Sequence, residues 1–179
     1  AGITLLSETE RNPLYTTTYG VGEVIRDAIA RGCRHFIIGI GGSATNDGGI
    51  GMLQALGFDL LDQEGVPVRH GALGLKDLAV ISDSHALPEL KECTFRIACD
   101  VTNPLCGPQG CSAVFGPQKG ADSAMIQQMD QWLSSYAALA GKSFPKTNPA
   151  HAGAGAAGGL GFSFLTFFHA TLESGVNII

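Results

Sequence analysis

The residues best equipped for chemistry cluster in one turn, Gly39-Ile40-Gly41-Gly42-Ser43-Ala44-Thr45-Asn46-Asp47-Gly48-Gly49. An apolar run, Arg34 to Ile40, precedes it, and Ile50 to Leu56 follows with helical character. A strand that ends in glycines and restarts as a helix makes an anion site. Glycine admits positive φ and close backbone approach, and the free amides at the helix start, with the dipole behind them, favour negative charge. Gly41 and Gly42 supply backbone, while Ser43, Thr45 and Asn46 add hydroxyl and amide groups. Asp47 adds a carboxylate able to hold Mg²⁺ or orient a hydroxyl. The bland alternative is a tight strand–helix turn with Asp47 as its N-cap. Six glycines and four polar residues between Gly39 and Gly51 favour the functional reading.

A second carboxylate, Asp100, ends the apolar run Thr94 to Cys99, at the strand terminus where open α/β sheets bind ligands. There it could accept the proton of a substrate hydroxyl or coordinate a metal, or simply cap the turn before Asn103-Pro104. Asn103 joins the candidate substrate- or phosphate-binding residues. So does Lys119, in Phe115-Gly116-Pro117-Gln118-Lys119-Gly120, whose charge suits a phosphate but equally suits a solvated loop. Gly153 to Gly161 is another place where backbone must approach something closely, either a ligand or a neighbouring helix.

Other chemistries fit poorly. A P-loop needs a lysine that Gly39 to Leu56 lacks. The dinucleotide fingerprint is formally met by Gly39, Gly41 and Ala44, with Asp62 about 20 residues on as the ribose acid. However, the Thr-Asn-Asp insertion would crowd a pyrophosphate, and Asp62 precedes a hairpin turn. No histidine has a Glu or His partner at metal-ligand spacing, so no metal site is assigned. His35 and His169 read as structural, and His151 stands out only for its place beside the second glycine cluster. The chain has no G-x-S-x-G elbow and no cysteine with an evident base, so covalent catalysis is not indicated.

The elements that must position these residues follow from periodicity. Val21, Val24, Ile25, Ala28 and Ile29 recur at helical spacing after Thr18, a plausible N-cap, and before Gly32, placed as a C-terminal glycine. Arg34 to Ile40 and Thr94 to Cys99 read as strands buried on both faces. Phe58 to Leu61 and Val66 to Val68 flank Asp62-Gln63-Glu64-Gly65 as a hairpin. Leu73 to Val80 is ambiguous, and Leu87 to Lys91 suits a helical turn. Asp122 caps a helix to about Ala140, with Met125, Met129, Trp132, Leu133 and Tyr136 on one face. The alternation predicts an α/β layered fold with a mixed sheet and flanking helices.

Composition bounds the partners. At 179 residues, one domain is expected. The net charge of −5, without Lys/Arg runs, argues against nucleic acid or an anionic membrane. No apolar run approaches the roughly 20 residues that span a bilayer, and Ala1 to Leu6 lacks signal-peptide character. Five cysteines without a C-x-x-C pair read as reduced thiols of a cytoplasmic protein. Only 15% of residues are charged, against about 25% in an average domain, and mean hydropathy is +0.18. So thin a charged coat, with apolar ends at Ala1-Gly2-Ile3 and Val176 to Ile179, predicts surface buried against another domain or subunit.

Together these residues resemble a known family. Arg11-Asn12-Pro13-Leu14 with Thr18 and Gly20-Val21-Gly22-Glu23-Val24-Ile25 resembles the R-N-P-L…T-x-G-x-G-E-L-I segment of bacterial glycerate kinases. The Gly39–Gly49 turn resembles their G-[IL]-G-G-S-A-T-x-D-G-G signature. Cys99-Asp100-Val101 through Leu105, Val114 to Ala121, and Gly155 to Gly159 resemble three further blocks in the same order. The family phosphorylates D-glycerate with ATP and Mg²⁺, in close bacterial relatives at the 2-hydroxyl, in a cleft between two α/β domains. Its D-S-F-K-x-S, D-G-G-E-G-T and G-E-G-R-x-D motifs are absent here. The resemblance therefore implies that residues 1–179 are the central, mostly inserted domain, which packs against the other domain and forms one wall of that cleft, with a homodimer also conceivable. It further implies that the Gly41–Asp47 turn binds glycerate carboxylate or the transferring phosphate, while Asp100 or Asp47 orients the hydroxyl or Mg²⁺. The rival readings are a non-catalytic binding module on the same scaffold and a dinucleotide-binding oxidoreductase domain.

Overall fold

The computed structural model describes residues 2–168 and 170–178. Ala1, His169 and Ile179, and with them the structural role expected of His169, lie outside the described residues.

After two short 3₁₀ turns, Ile3–Leu5 and Glu8–Glu10, comes helix α1, Tyr19–Ala30, which buries Gly22, Ile25 and Ile29 against α2, Ile50–Ala55. The two helices cross closely enough that a Cβ at Gly22 would meet Met52 and Ala55. Between them lies strand β1, His35–Gly39, which leads into the signature turn. Gly32 (φ +92°) ends α1, as the sequence suggests, and Gly57 (φ +91°) ends α2. Thr18 occupies the N-cap position of α1, but its hydroxyl turns inward to a different task, described below.

Strand β2, Asp59–Leu61, and strand β3, Val80–Ser82, form a separate two-stranded antiparallel ladder, with α3, Ala72–Asp77, between them. This differs from the hairpin expected at 58–68. Val68 and Asp62 do bond back across the turn, but Leu61 and Pro67 make only an isolated bridge. A proline cannot donate to a ladder, so β2 completes its pairing with β3 instead. Asp62 spends Oδ1 on the amides of Glu64 and Val66, which closes the turn.

Strand β4, Thr94–Ala98, pairs parallel with β1, and β5, Ala170–Glu173, pairs parallel with β4, giving the order β1-β4-β5. The α/β class is therefore as expected, but parallel and antiparallel strands fall into two sheets rather than one mixed sheet. Burial also corrects the sequence reading. In β4 only Phe95 and Ile97 are buried, while Thr94 and Arg96 are exposed. Helices cover one face of this sheet. The other carries polar pairs, His35 with Thr94 at 2.8 Å and Arg96 with Glu173 at 2.9 and 3.0 Å.

Helices α4, Cys111–Phe115, α5, Ser123–Ala140, and α6, Ala156–Phe167, complete the layer. Asp122 caps α5 by accepting from the Met125 amide at 2.8 Å, and Met129, Leu133 and Tyr136 form its buried face. Helix α6 is apolar apart from Ser163 and Thr166 and is buried around most of its circumference, as a helix enclosed in the core should be. Its phenylalanines reach the sheet: Phe164 and Phe168 stand 5.7 and 5.2 Å from the ring of Phe95.

Candidate active site

The signature turn bends because Gly48 (φ +63°) and Gly49 (φ +83°) take left-handed backbone that a side chain would strain. Three buried side chains hold it. Asp47, fully enclosed, accepts from the Thr18 amide (2.8 Å), the Thr18 hydroxyl (2.9 Å) and the Thr17 hydroxyl (3.4 Å) on Oδ2, and from the Gly49 amide (3.1 Å) on Oδ1. Thr18 in turn accepts from the Met52 amide at 3.0 Å, which ties the starts of α1 and α2 to the turn. Asn46, equally enclosed, donates to Ser112 Oγ at 2.8 Å, and its Oδ1 has no partner. Ser163 of α6 donates to the Gly48 carbonyl at 2.6 Å. With that proton committed, it accepts from the Tyr136 hydroxyl at 2.9 Å.

The second glycine cluster meets the first. Ala157, Gly158 and Gly159 take left-handed conformations at the start of α6 (φ 52°, 68° and 91°). The Gly158 carbonyl accepts from the Gly48 amide at 2.9 Å. A Cβ on Gly158 would run into the Thr45 carbonyl, and one on Gly159 would stand 2.8 Å from Gly48 Cα. These glycines therefore let two turns touch backbone to backbone. Ala157 is the one non-glycine residue with positive φ among the described residues, and strain of this kind concentrates at functional sites.

Two cavities flank the signature turn and share Ile40, Gly41, Gly42, Ser43 and Ala157 as walls. The larger, about 670 Å³, is a mostly apolar groove between α1 and β1. The smaller, about 210 Å³, gathers Ser43, Asp100, Gln118 and Lys119. Lys119 is 1% exposed, and its Nζ donates to the Thr45 carbonyl at 2.5 Å and to Ser43 Oγ at 3.2 Å. No ion pair among the described residues involves it. Burial pushes this ammonium down to about 8, and the neighbouring Cys111 and Asp47 only partly offset that. At the mouth, Asp100 is exposed. Its Oδ1 accepts from Ser174 Oγ at 2.7 Å and the Gly175 amide at 3.0 Å, and these bonds hold its carboxyl below the usual range. At neutral pH the small cavity thus presents a buried cation, a hydroxyl and a fixed carboxylate.

The whole chain, residues 1–179, matches the family model for the glycerate kinase family. The chain belongs to the glycerate kinase family. It is 49% identical to a glycerate kinase of Bacillus subtilis and 48% identical to a glycerate 2-kinase of Escherichia coli, aligned over its full length and 47% of each relative. A crystal structure assigned as a glycerate kinase 2 from Salmonella typhimurium LT2 superposes with a TM-score of 0.97 at 47% identity, covering all of this chain and 48% of the other. The chain thus spans about half the length of the relatives it matches.

Against this family frame, the predicted site residues divide. Gly41, Gly42, Ser43, Asp100 and Lys119 converge on the small cavity, and Thr45 lines the large one. Asp47, Asn46 and Asn103 line neither. Asn103 donates instead to the Gln109 carbonyl at 2.8 Å within its own loop. The solvated-loop alternative for Lys119 is overturned, because the side chain folds inward onto the signature turn. Sequence reasoning passed over Ala156, Ala157 and Gln118 as cavity walls, and Thr17 and Ser163 as supports. The small residues at 153–161 were the available signal for the first two. Hydroxyl residues facing a buried carboxylate or carbonyl gave none, since their partners lie 30 and 115 residues away. The His151 ring bonds to the neighbouring Ala152 carbonyl, and no group of metal-ligating side chains occurs among the described residues. Burial pushes the Cys106 and Cys111 thiols up to about 12 and 11, so neither offers a thiolate nucleophile at neutral pH.

Proposed function

We propose that this chain forms the acceptor wall of an ATP-dependent D-glycerate kinase of the cytoplasm that phosphorylates the 2-hydroxyl. The observation that carries this reading is the buried Lys119 ammonium, without a carboxylate partner, facing a cavity sized for a three-carbon acid rather than a nucleotide. Lys119 and Ser43 bind the glycerate carboxylate or an oxygen of the transferring phosphoryl group, with the backbone of Gly41 and Gly42 beside them. Asp100 orients the attacking hydroxyl and receives its proton. A carboxylate held below the usual range is a weak base, which suits phosphoryl transfer, where positioning and charge neutralisation outweigh deprotonation.

Asp47 serves this site indirectly. Both its oxygens are committed inside the protein, so it fixes the turn on which Ser43 and the Lys119 acceptor, the Thr45 carbonyl, are mounted. For Mg²⁺ the fitting donor is Asp100, whose Oδ2 is free of hydrogen bonds among the described residues. Mg²⁺ is held in kinases by one or two carboxylates plus substrate phosphates, and when bound it neutralises phosphate charge. The rest of the ATP site belongs to polypeptide beyond these residues. In the full-length protein, Asp100→Asn is expected to lower kcat for ATP-dependent glycerate phosphorylation by about 10²-fold or more, with KM for D-glycerate little changed. Unchanged turnover would end the proposal.

A further inference from the structure

The signature turn carries one buried polar side chain that the site chemistry leaves unused. Asn46 is 0% exposed and lines neither cavity. Its Nδ2 donates to Ser112 Oγ at 2.8 Å, with Met129 Sδ at 3.6 Å, while its Oδ1 meets no donor among the described residues. Ser112 is equally enclosed and belongs to α4, 66 residues further along the chain. An enclosed amide with an unmet acceptor is no gain in stability over apolar packing of the same shape, so stability alone does not account for the pair.

The bonds that leave this pair close a ring. The Gly116 amide donates to the Ser112 carbonyl at 3.0 Å, and the Lys119 amide donates to the Gly116 carbonyl at 3.0 Å. A Cβ at Gly116 would stand 2.3 Å from the Ser112 carbonyl, so this link is tight and has little room to give. Lys119 then reaches back to the turn, its Nζ donating to the carbonyl of Thr45, the residue next to Asn46. The lysine is thus held at both ends. Its main chain hangs from Ser112 through the 3₁₀ turn Pro117–Lys119, and its ammonium rests on the carbonyl beside Asn46.

We infer that Asn46 is a positioning residue: its bond to Ser112 keeps α4 and the Pro117–Lys119 turn in register with the signature turn, and so sets where the Lys119 ammonium meets the small cavity. The assignment rests on the reading of Lys119 as the anion anchor, and adds that the anchor is aimed by a residue that does not touch the substrate.

The test is D-glycerate affinity and steady-state kinetics of the full-length protein from about pH 6.5 to 10, in Asn46→Ala, Ser112→Ala and the double variant. The charged and titratable groups facing Lys119 are Asp47 from the signature turn, Cys111 from α4 and Asp100 across the cavity. Burial holds the Cys111 thiol up at about 11, so a fall in affinity above about pH 8 reports Lys119. Each single variant is expected to lower kcat/KM for D-glycerate about ten-fold. Each should also move the alkaline fall in affinity up by about half a pH unit or more, because a loosened ammonium gains water. The double variant should match the singles, as two residues acting through one bond do. Ser112→Cys keeps the bulk and weakens the acceptor, so it should show the same changes in smaller measure, and it stands in for any variant that does not fold. An unmoved alkaline limb, or effects that add in the double variant, would overturn the inference. If Lys119→Met loses binding while the Asn46 and Ser112 variants behave as the parent, the positioning role alone fails. If Lys119→Met binds D-glycerate as tightly as the parent, the anchor reading fails and the positioning role with it.

Discussion

Lys119 offers the most quantitative handle on the site. Its ammonium is driven from 10.5 to about 8 by burial, a difference of about 3 kcal/mol. The folded-state value lies below the unfolded one, so the folded protein holds fewer protons between those two values. The cost of burying the charge is therefore fully present below about pH 8 and is relieved as pH rises towards 10.5. Anion binding follows the opposite course. D-Glycerate stays ionised throughout this range, so its affinity should track the protonated fraction of Lys119. It should be level below about pH 7.5 and fall about ten-fold per unit above the value at which the free enzyme titrates. Isothermal titration calorimetry of D-glycerate from pH 6.5 to 10, on the full-length protein, reads this directly. Lys119→Met keeps the length and removes the charge, so it should bind weakly at every pH and show no such slope. A flat affinity profile in the parent protein, or undiminished binding by the Met variant, would refute the assignment of Lys119 as the anion anchor.

Two further outcomes separate support of the turn from chemistry. Asp47→Asn places an amide where the Thr18 amide and hydroxyl donate, and should destabilise the fold by about 3 kcal/mol in urea denaturation. A variant of wild-type stability that had lost turnover would instead make Asp47 catalytic. Gly158→Ala puts a Cβ against the Thr45 carbonyl at a left-handed position, and should cost about 3 kcal/mol in the same assay. A neutral effect would mean the two glycine turns do not depend on their close contact.

The strand–turn–helix order around Gly39 to Gly49 was legible because glycine and helical periodicity are local signals, and the Asp122 cap and the buried face of α5 were legible for the same reason. What escaped was set by distance in the chain. Apolarity marks Arg34 to Ile40 as buried on both faces, but helices of the described residues cover only one face of the sheet, so Ile37 stands exposed. Asp47 looked like a ligand because carboxylates beside glycines often are. Only the fold brings Thr17 and Thr18 onto it and closes it off. Lys119 looked like a loop lysine because its burial arises from the 3₁₀ turn Pro117–Lys119 packing under Ser43 and Thr45, some 75 residues earlier. The position of Asp100 just past the carboxyl end of a strand was legible in the sequence, and the structure puts that residue in the wall of the small cavity.

The central claim is that the small cavity holds the acceptor acid. Titration of D-glycerate into the ¹⁵N-labelled full-length protein, followed by amide chemical shifts, tests it most directly. Saturable shifts at Gly41, Gly42, Ser43 and Ala157, abolished by Lys119→Met, are the predicted result. Saturable glycerate binding that leaves these four amides unmoved would contradict it.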